Sequence, residues 1–142
     1  MIEILLVEES NDDAALTIHA LKKGGLINSI LHLKDGSEAL DYLYCKGKYA
    51  SQIFIEYPKV IFLDLKMPKN SGIEVLEKIK SDPLLKKIPV VILTPSKEDS
   101  DVKKCYELGA NSYIIKPNDS DKLFILIKEL GLYWLVINQP PL

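Results

Sequence analysis

Short runs of apolar residues alternate along this chain with longer amphipathic stretches. The short runs are rich in β-branched and aromatic side chains, which is typical of strands that are buried on both faces. The longer stretches repeat their apolar residues at helical spacing. The pattern predicts five strands, near residues 2–7, 29–34, 59–64, 89–94 and 112–115, and five helices, near residues 11–24, 36–45, 71–81, 97–109 and 118–130.

Residues that favour helix ends support these boundaries. Ser10 or Asn11 can cap the first helix, Pro83 follows the end of the third, and Gly109 follows the fourth. The connection over residues 46–58 is long, and it is either a surface excursion or an extension of the second helix. Because strands and helices alternate five times, we expect an α/β domain in which a parallel sheet carries helices on both faces.

Composition and charge exclude several classes of protein. A net charge of −2 gives no general attraction to nucleic acid or to an anionic membrane, so we expect neither as a partner. We find no basic leader and no apolar span long enough for a membrane helix, so we expect a cytoplasmic protein. Cys45 and Cys105 lack metal-site spacing and are expected as free thiols, and surface or packing roles are favoured for His19 and His32.

Polar residues follow four of the predicted strands. Glu8 and Glu9 follow the first, Asp64 ends the third, Thr94 ends the fourth, and Lys116 follows the fifth. In an open α/β sheet the carboxyl ends of the strands form the ligand crevice, so we expect these side chains to converge. Carboxylates from two strand ends repel each other unless a cation lies between them, and an all-oxygen set of few protein ligands suits Mg²⁺.

Such a crevice can support phosphoryl transfer to a carboxylate. Mg²⁺ binds phosphate oxygens readily, and attack by Asp64 on a phosphoryl donor gives an acyl phosphate. The cation and the Lys116 ammonium would neutralise charge on the equatorial oxygens during in-line transfer. Thr94 would then hydrogen-bond a phosphoryl oxygen, which lets the protein sense the modification.

Several segments together resemble the response-regulator receiver domain of two-component signalling. They are Ile4-Leu5-Leu6-Val7-Glu8-Glu9, Phe62-Leu63-Asp64-Leu65-Lys66-Met67-Pro68 with Gly72, Leu93-Thr94, and Gly109-Ala110-Asn111-Ser112-Tyr113 leading to Lys116-Pro117. The resemblance implies a flavodoxin-like, doubly wound (βα)5 fold with the strand order 2-1-3-4-5. It assigns residues 1–130 to the receiver and residues 131–142 to a C-terminal extension without an output domain.

The resemblance also implies roles for site residues. Asp64 would be the phospho-acceptor, and Glu9 and Asp64 would ligate Mg²⁺ directly. Glu8 would act through water, and the Lys66 carbonyl would supply a backbone ligand. The remaining implied residues are the switch pair Thr94 and Tyr113, and the phosphate-contacting Lys116, whose peptide bond to Pro117 is expected to be cis.

Two residues depart from the family pattern. Glu9 stands where an aspartate is common, and its extra methylene pushes the carboxylate further into the site. Pro95 follows Thr94 where a residue with a backbone N–H is common, so a possible phosphate contact is lost. The leading interpretation is a phospho-acceptor protein, and the alternative is a phosphate-independent adaptor that binds a protein partner.

A narrower resemblance concerns partners. Residues 107–113 and the tail 131–135 are similar to stand-alone regulators paired with phytochrome-type and related hybrid histidine kinases. This similarity implies a sensor histidine kinase as phosphodonor and a downstream protein or phosphotransfer partner. It implies no enzyme activity beyond intrinsic autophosphorylation and slow autodephosphorylation.

The tail from Leu132 to Ile137 is apolar or aromatic and must be covered. It can extend or fold back onto the domain. Alternatively it can form a homodimer contact with the segment Phe124–Ile127, on the face built from the fourth helix, fifth strand and fifth helix.

Overall fold

A central parallel sheet organises the molecule. The computed structural model describes residues 2–25, 29–53, 57–67, 69 and 71–141. The strands are β1 Ile4–Val7, β2 Ile30–Leu33, β3 Val60–Leu63, β4 Val90–Thr94 and β5 Ser112–Ile115, in the order β2-β1-β3-β4-β5. All four pairings are parallel. The predicted α/β fold and its strand order are confirmed.

In the described residues, five α-helices connect and cover the strands: α1 Asn11–Lys23, α2 Gly36–Leu43, α3 Gly72–Ser81, α4 Asp99–Leu108 and α5 Ser120–Leu132. Ser10 is the residue that caps α1, because its side chain accepts a hydrogen bond from the Asp13 N–H. Gly109 ends α4 with φ of 105°, a left-handed conformation that favours glycine.

The connection after α2 does not extend that helix, which ends at Leu43. A short 3₁₀ helix follows at Gly47–Tyr49, and the rings of Tyr42 and Tyr49 meet edge to face with centroids 5.2 Å apart. Residues 54–56 of this connection lie outside the described residues. The described part therefore favours the surface excursion over the extended helix.

Alternate residues of the strands enter two apolar layers, one on each side of the sheet. Leu5 and Leu63 point into the layer formed with α2, α3 and Cys105 of α4. Leu6 and Phe62 point into the layer formed with α1 and α5. Since successive strand residues face opposite sides, a strand buried on both faces must be apolar throughout, as the sequence pattern predicted.

The tail continues the fifth helix as a helical turn. Residues Tyr133–Ile137 form a π-helix directly after α5, and the boundary after residue 130, which lies within α5, stays a prediction. Trp134 is buried in the layer shared with α1 and α5, whereas the other residues of the segment Leu132–Ile137 are exposed or partly exposed. None of the helices among the described residues is long and apolar enough to cross a membrane.

The segment Phe124–Ile127 is mostly part of the core. Ile127 is fully buried, and Phe124 and Leu126 pack partly against the same layer, so only Ile125 is largely exposed. The centroids of the Phe124 and His19 rings lie 5.5 Å apart. The exposed apolar surface at this end of the molecule therefore consists chiefly of Ile125 and the tail.

Candidate functional site

Four polar side chains are buried at the carboxyl ends of the strands. The exposed fractions are 3% for Glu8, 8% for Asp64, 0% for Thr94 and 7% for Lys116. Polar and charged groups are rarely buried without partners, so their contacts decide what the site can do. The sequence predicted all four positions, and the structure places them at one edge of the sheet.

Glu8 and Lys116 form a buried ion pair between the ends of β1 and β5. Lys116 Nζ donates to Glu8 Oε1, and it also donates to Asp13 Oδ2 at 2.9 Å. The second oxygen of Glu8, Oε2, accepts from the Ser10 N–H at 3.1 Å. Asp13 therefore joins the site as a partner of Lys116, a role that the sequence analysis did not assign to it.

Burial disfavours the charged form of Asp64. It raises the pKa of this carboxyl to about 6, and the nearby charge of Glu8 adds to the effect. The Lys116 ammonium and a hydrogen bond from the Leu65 N–H to Asp64 Oδ1, 2.8 Å long, act in the opposite direction. The carboxylate is thus poorly solvated and carries a neighbour of like charge.

Lys116 stays a cation in spite of its burial. Burial alone would lower its pKa, but the hydrogen bonds to Glu8 and Asp13, together with the negative charges of Glu8 and Asp64, outweigh that effect and raise it. Within the part of the chain that the structure describes, the site thus combines the Lys116 cation with three carboxyl groups that affect its pKa, those of Glu8, Asp13 and Asp64. It retains a negative balance when all three are ionised.

A close backbone approach shapes the loop after β3. A Cβ atom on Gly72 would lie 2.1 Å from the Asp64 carbonyl oxygen and 2.7 Å from Leu65 Cα. The Gly72 N–H donates to the Leu65 carbonyl at 2.8 Å. Only glycine allows α3 to begin so close to the end of β3, and this contact fixes the backbone beside Asp64.

Thr94 and Tyr113 are linked through Ser96. The Ser96 N–H donates to Thr94 Oγ1 at 3.4 Å, and the Tyr113 hydroxyl donates to the Ser96 carbonyl at 3.0 Å. The Ser96 hydroxyl donates to Asp101 Oδ2, in the first turn of α4, at 2.6 Å. The loop between β4 and α4 therefore connects the buried threonine with both the tyrosine of β5 and the start of α4.

A cavity of about 360 Å³ opens beside the buried ammonium. Asp13, Leu16, Pro95, Lys116 and Leu123 are among its lining residues. It lies between the start of α1, the loop after β4 and the start of α5. Asp13 contributes an acidic side chain to this lining, and Leu16 and Leu123 contribute apolar ones.

Sequence comparison identifies the family to which this arrangement belongs. Residues 4–128 match the response regulator receiver domain. The chain belongs to this family. The receiver therefore acts in two-component phosphorelay signalling, as its resemblance implied.

Two curated relatives align with nearly all of this receiver. Response regulator Rcp1 of Synechocystis sp. is 39% identical over 132 residues, which cover 93% of this chain and 88% of Rcp1. The probable methanogenesis regulatory protein FilR2 of Methanothrix harundinacea is 40% identical over 138 residues, which cover 97% of this chain and 86% of FilR2.

Two solved structures share its fold over almost the whole length. The crystal structure of the Mn²⁺-bound form of Rcp1 has a TM-score of 0.91 and 38% identity, and the alignment covers 98% of each chain. The phosphorylated cyanobacterial phytochrome response regulator RcpA also has a TM-score of 0.91, with 39% identity and coverage of 98% of this chain and 97% of RcpA. The narrower resemblance to phytochrome response regulators is confirmed.

The two acids after β1 differ in their surroundings. Glu8 is buried beside Lys116 and Asp64, whereas Glu9 is exposed, as is Lys66 after β3. Among the described residues, no group of three His, Cys, Asp or Glu side chains is close enough to hold a metal ion. The direct ligation by Glu9 and the roles of Glu8 and the Lys66 carbonyl stay predictions, and Pro68 of the matching segment lies outside the described residues.

The prediction of a cis peptide bond between Lys116 and Pro117 is wrong. The described residues contain no cis peptide bond. The trans form is ordinarily favoured by about 0.5–1 kcal/mol before proline. In that form the Lys116 N–H donates to the Thr94 carbonyl at 2.8 Å while the ammonium reaches Glu8 and Asp13.

Proposed function

We propose that Asp64 of this receiver accepts a phosphoryl group from a sensor histidine kinase. The observation that carries the proposal is the burial of Asp64 beside Glu8 and Lys116. Burial and the charge of Glu8 make the ionised carboxylate of Asp64 unfavourable, and Lys116 supplies a nearby cation. A poorly solvated carboxylate loses less hydration when it reacts, and the ammonium can balance the charge of the group that it receives.

The transfer is an in-line displacement. Asp64 Oδ1 accepts from the Leu65 N–H, so we assign the attack to Oδ2. A bond forms between this oxygen and phosphorus while the bond from phosphorus to the imidazole nitrogen of the donor breaks, and that nitrogen keeps the electron pair. Lys116 lies within reach of Glu8 and Asp13 and is shared between carboxylates, so it can shift toward the incoming phosphoryl oxygens.

The donor set suits a hard divalent cation, and we propose Mg²⁺. The oxygen ligands that would hold it belong to Glu8, Glu9, Asp64 and the Lys66 carbonyl. Glu8 and Asp64 repel each other when both are ionised, and a bound cation would offset that repulsion. When bound, the cation would offset negative charge on the transferring phosphoryl group.

The signal would leave the site through the loop after β4. A phosphoryl oxygen on Asp64 would draw the Thr94 hydroxyl away from the Ser96 N–H that it now accepts. Movement of Ser96 would disturb both the Tyr113 bond to its carbonyl and the Asp101 bond to its hydroxyl. The face of α4, β5 and α5 would thereby change for a downstream protein or phosphotransfer partner, in the cytoplasm as the sequence predicts.

Intrinsic hydrolysis would reset the receiver slowly. Lys66 and Ser96 are the side chains that we expect to control access of water to the acyl phosphate. The Ser96 hydroxyl donates to Asp101 and accepts from the Glu98 N–H. Because both hydrogen bonds occupy it, we do not expect it to activate a water molecule as a base. We therefore expect no rapid dephosphorylation without a second protein.

Acetyl phosphate in the presence of Mg²⁺ tests the proposed acceptor. Intact-mass measurement should show a gain of one phosphoryl group in the native protein and none in Asp64→Asn. Asp41→Asn, which removes a carboxyl group on α2, is the matched control and should be labelled like the native protein. A folded native protein that gains no mass would favour the phosphate-independent adaptor, and labelling of Asp64→Asn would place the acceptor elsewhere.

We also propose a homodimer through the exposed apolar strip of α5 and the tail. Ile125, Leu132, Tyr133, Val136 and Ile137 are exposed large apolar or aromatic side chains within one short stretch of chain. Trp134 belongs to the core, so truncation after Leu130 would damage the fold as well as the strip. The double substitution Val136→Lys with Ile137→Lys is sharper, and it should yield a monomer in sedimentation; an unchanged oligomeric state would contradict the dimer.

A further inference from the structure

The carbonyl of Glu8 accepts a hydrogen bond from a side chain of the neighbouring strand. The register of β1 with β2 ends where Val7 pairs with Leu33, and the Glu8 N–H still donates to the Leu33 carbonyl at 3.0 Å. The chain then turns into the cap of α1. His32 Nε2 lies 2.8 Å from the Glu8 carbonyl oxygen, and since a carbonyl only accepts, Nε2 carries the proton.

This bond fixes the peptide group that joins the two acids. The Glu8 carbonyl and the Glu9 N–H belong to one planar unit. A hydrogen bond from His32 to its oxygen restrains rotation of this plane, and it thereby restrains the directions in which the chain leaves toward Glu8 Cβ and Glu9 Cβ. Glu8 is buried beside Lys116 while Glu9 is exposed, which shows that the two side chains leave that plane differently.

We propose that His32 is a positioning residue for the acid pair Glu8–Glu9 and thereby sets the affinity of the site for a divalent cation. The part that concerns the cation rests on the proposed function. Every other hydrogen-bonding atom of Glu8 is also held, by Leu33, Ser10 or Lys116. Among the described residues, His32 supplies the side-chain hydrogen bond to the carbonyl, and its loss would remove this restraint on the peptide group between the two carboxylates.

The competing interpretation is that His32 is only a partly buried packing residue of β2. Substitutions separate the two. His32→Phe keeps an aromatic ring but removes the donor, and His32→Met does the same with a flexible chain. His32→Gln keeps an N–H donor near the position of Nε2. His19→Phe is the matched control, because His19 is exposed on α1 and contacts Phe124.

Calorimetric titration with MgCl₂ measures the effect on the cation site. We expect His32→Phe to bind Mg²⁺ about tenfold more weakly, the lower end of what loss of a residue that orients a ligand causes. His32→Gln should recover most of the affinity, and His19→Phe should bind as the native protein does. Native affinity in both His32→Phe and His32→Met would overturn the proposal.

Hydrogen exchange without metal provides a second readout. The Ser10 amide donates to Glu8 Oε2, so its exchange rate reports how well the acid is held. It should exchange faster in His32→Phe and return toward the native rate in His32→Gln, while the Ile61 amide in β3 stays protected. Unchanged Ser10 exchange in the Phe and Met variants would overturn the positioning role.

The two failures are distinguishable. A native protein that binds no Mg²⁺ would refute the proposed cation site, and the Ser10 exchange would still decide whether His32 holds the acid pair. If His32→Phe alone does not fold, the comparison of His32→Met with His32→Gln decides.

Discussion

Lys116 reaches from the end of β5 to Glu8 at the end of β1, and the two side chains form an ion pair with almost no exposure to solvent. The strands that carry them are not neighbours, because β3 and β4 lie between β1 and β5. The pair therefore spans the ends of β3 and β4, and both of its charges affect the pKa of Asp64. Because the pair is buried, it contributes to stability only while both partners are present, and loss of one leaves the other as an uncompensated charge.

Removing the cation should destabilise the fold strongly. Lys116→Met leaves Glu8 and Asp13 without their positive partner, and loss of one member of a buried pair costs about 3–5 kcal/mol. The free energy of urea unfolding at pH 7.5 measures this. The double variant with Glu8→Gln should recover part of the loss, and equal losses in the single and double variants would show that the pair is not coupled.

Replacing the proposed acceptor should stabilise the protein at neutral pH without Mg²⁺. The folded pKa of Asp64, about 6, lies above its ordinary 3.8, so the protonated form is favoured in the fold. The resulting stabilisation is complete below pH 3.8 and is lost as the pH rises through about 6. At pH 7.5 the free energy of unfolding of Asp64→Asn should therefore be higher than that of the native protein, by on the order of 3 kcal/mol.

The difference in the free energy of unfolding between Asp64→Asn and the native protein should decrease toward pH 4. There Asp64 is protonated in the folded native protein and is neutral, like the amide. Urea unfolding of both proteins across this range checks the trend. A constant difference between them at every pH would contradict the raised pKa, and a difference that grows toward low pH would reverse its sign.

Mg²⁺ should offset part of the destabilisation that ionised Asp64 causes in the native protein. A ligand that binds only the folded state raises the free energy of unfolding by about 2.7 kcal/mol at a concentration 100 times its Kd. Thermal unfolding with MgCl₂ or with EDTA should show a higher Tm with the metal, and the increase should be smaller in Asp64→Asn and Glu8→Gln. An equal increase in all three would place Mg²⁺ at another site.

Gly72→Ala should disturb the loop after β3, which follows Asp64. A Cβ atom there would overlap the Asp64 carbonyl oxygen, so the loop must shift, at a cost of about 1–3 kcal/mol. Gly25→Ala is the matched control: its φ of 67° is strained for alanine, but no atom lies within 4 Å of the new methyl group. We expect acetyl phosphate to label Gly72→Ala more slowly than Gly25→Ala, and equal rates would show that the loop tolerates the shift.

Loss of the tyrosine hydroxyl should loosen the loop after β4. Tyr113→Phe removes the bond to the Ser96 carbonyl and should cost about 0.5–1.5 kcal/mol. Tyr106→Phe, on the exposed side of α4, should cost nothing measurable. Urea unfolding compares the two. Equal stabilities would mean that the Tyr113 bond is replaced by water at no cost.

The strand ends could be located from sequence because buried parallel strands leave a continuous apolar signal, and each signal here stops at a polar residue. Asp64, Thr94 and Lys116 were found in this way. Which of Glu8 and Glu9 would be buried could not be decided, since the turn after β1 no longer follows the alternation of the strand. The His32 bond that holds this turn depends on the register of β2, which sequence periodicity leaves open.

Contacts between distant segments account for the remaining omissions. Asp13 appeared only as an acid in the first turn of α1, and its contact with Lys116 depends on how α1 packs beside the end of β5. Ser96 followed an unusual proline, and nothing local indicated that its three polar groups would join Thr94, Tyr113 and Asp101. The trans bond before Pro117 is the ordinary form of an X-Pro bond, and the cis form was expected only from the family resemblance.

Trp134 has a further use. It is the chain's one tryptophan, and it lies in the helical turn after α5 with its side chain buried against the layer of α1 and α5. Its fluorescence therefore reports the docking of the last turn separately from the tyrosines elsewhere in the molecule. Detachment of that turn, during unfolding or when a partner binds, would shift the emission to longer wavelength and give the protein an intrinsic optical label.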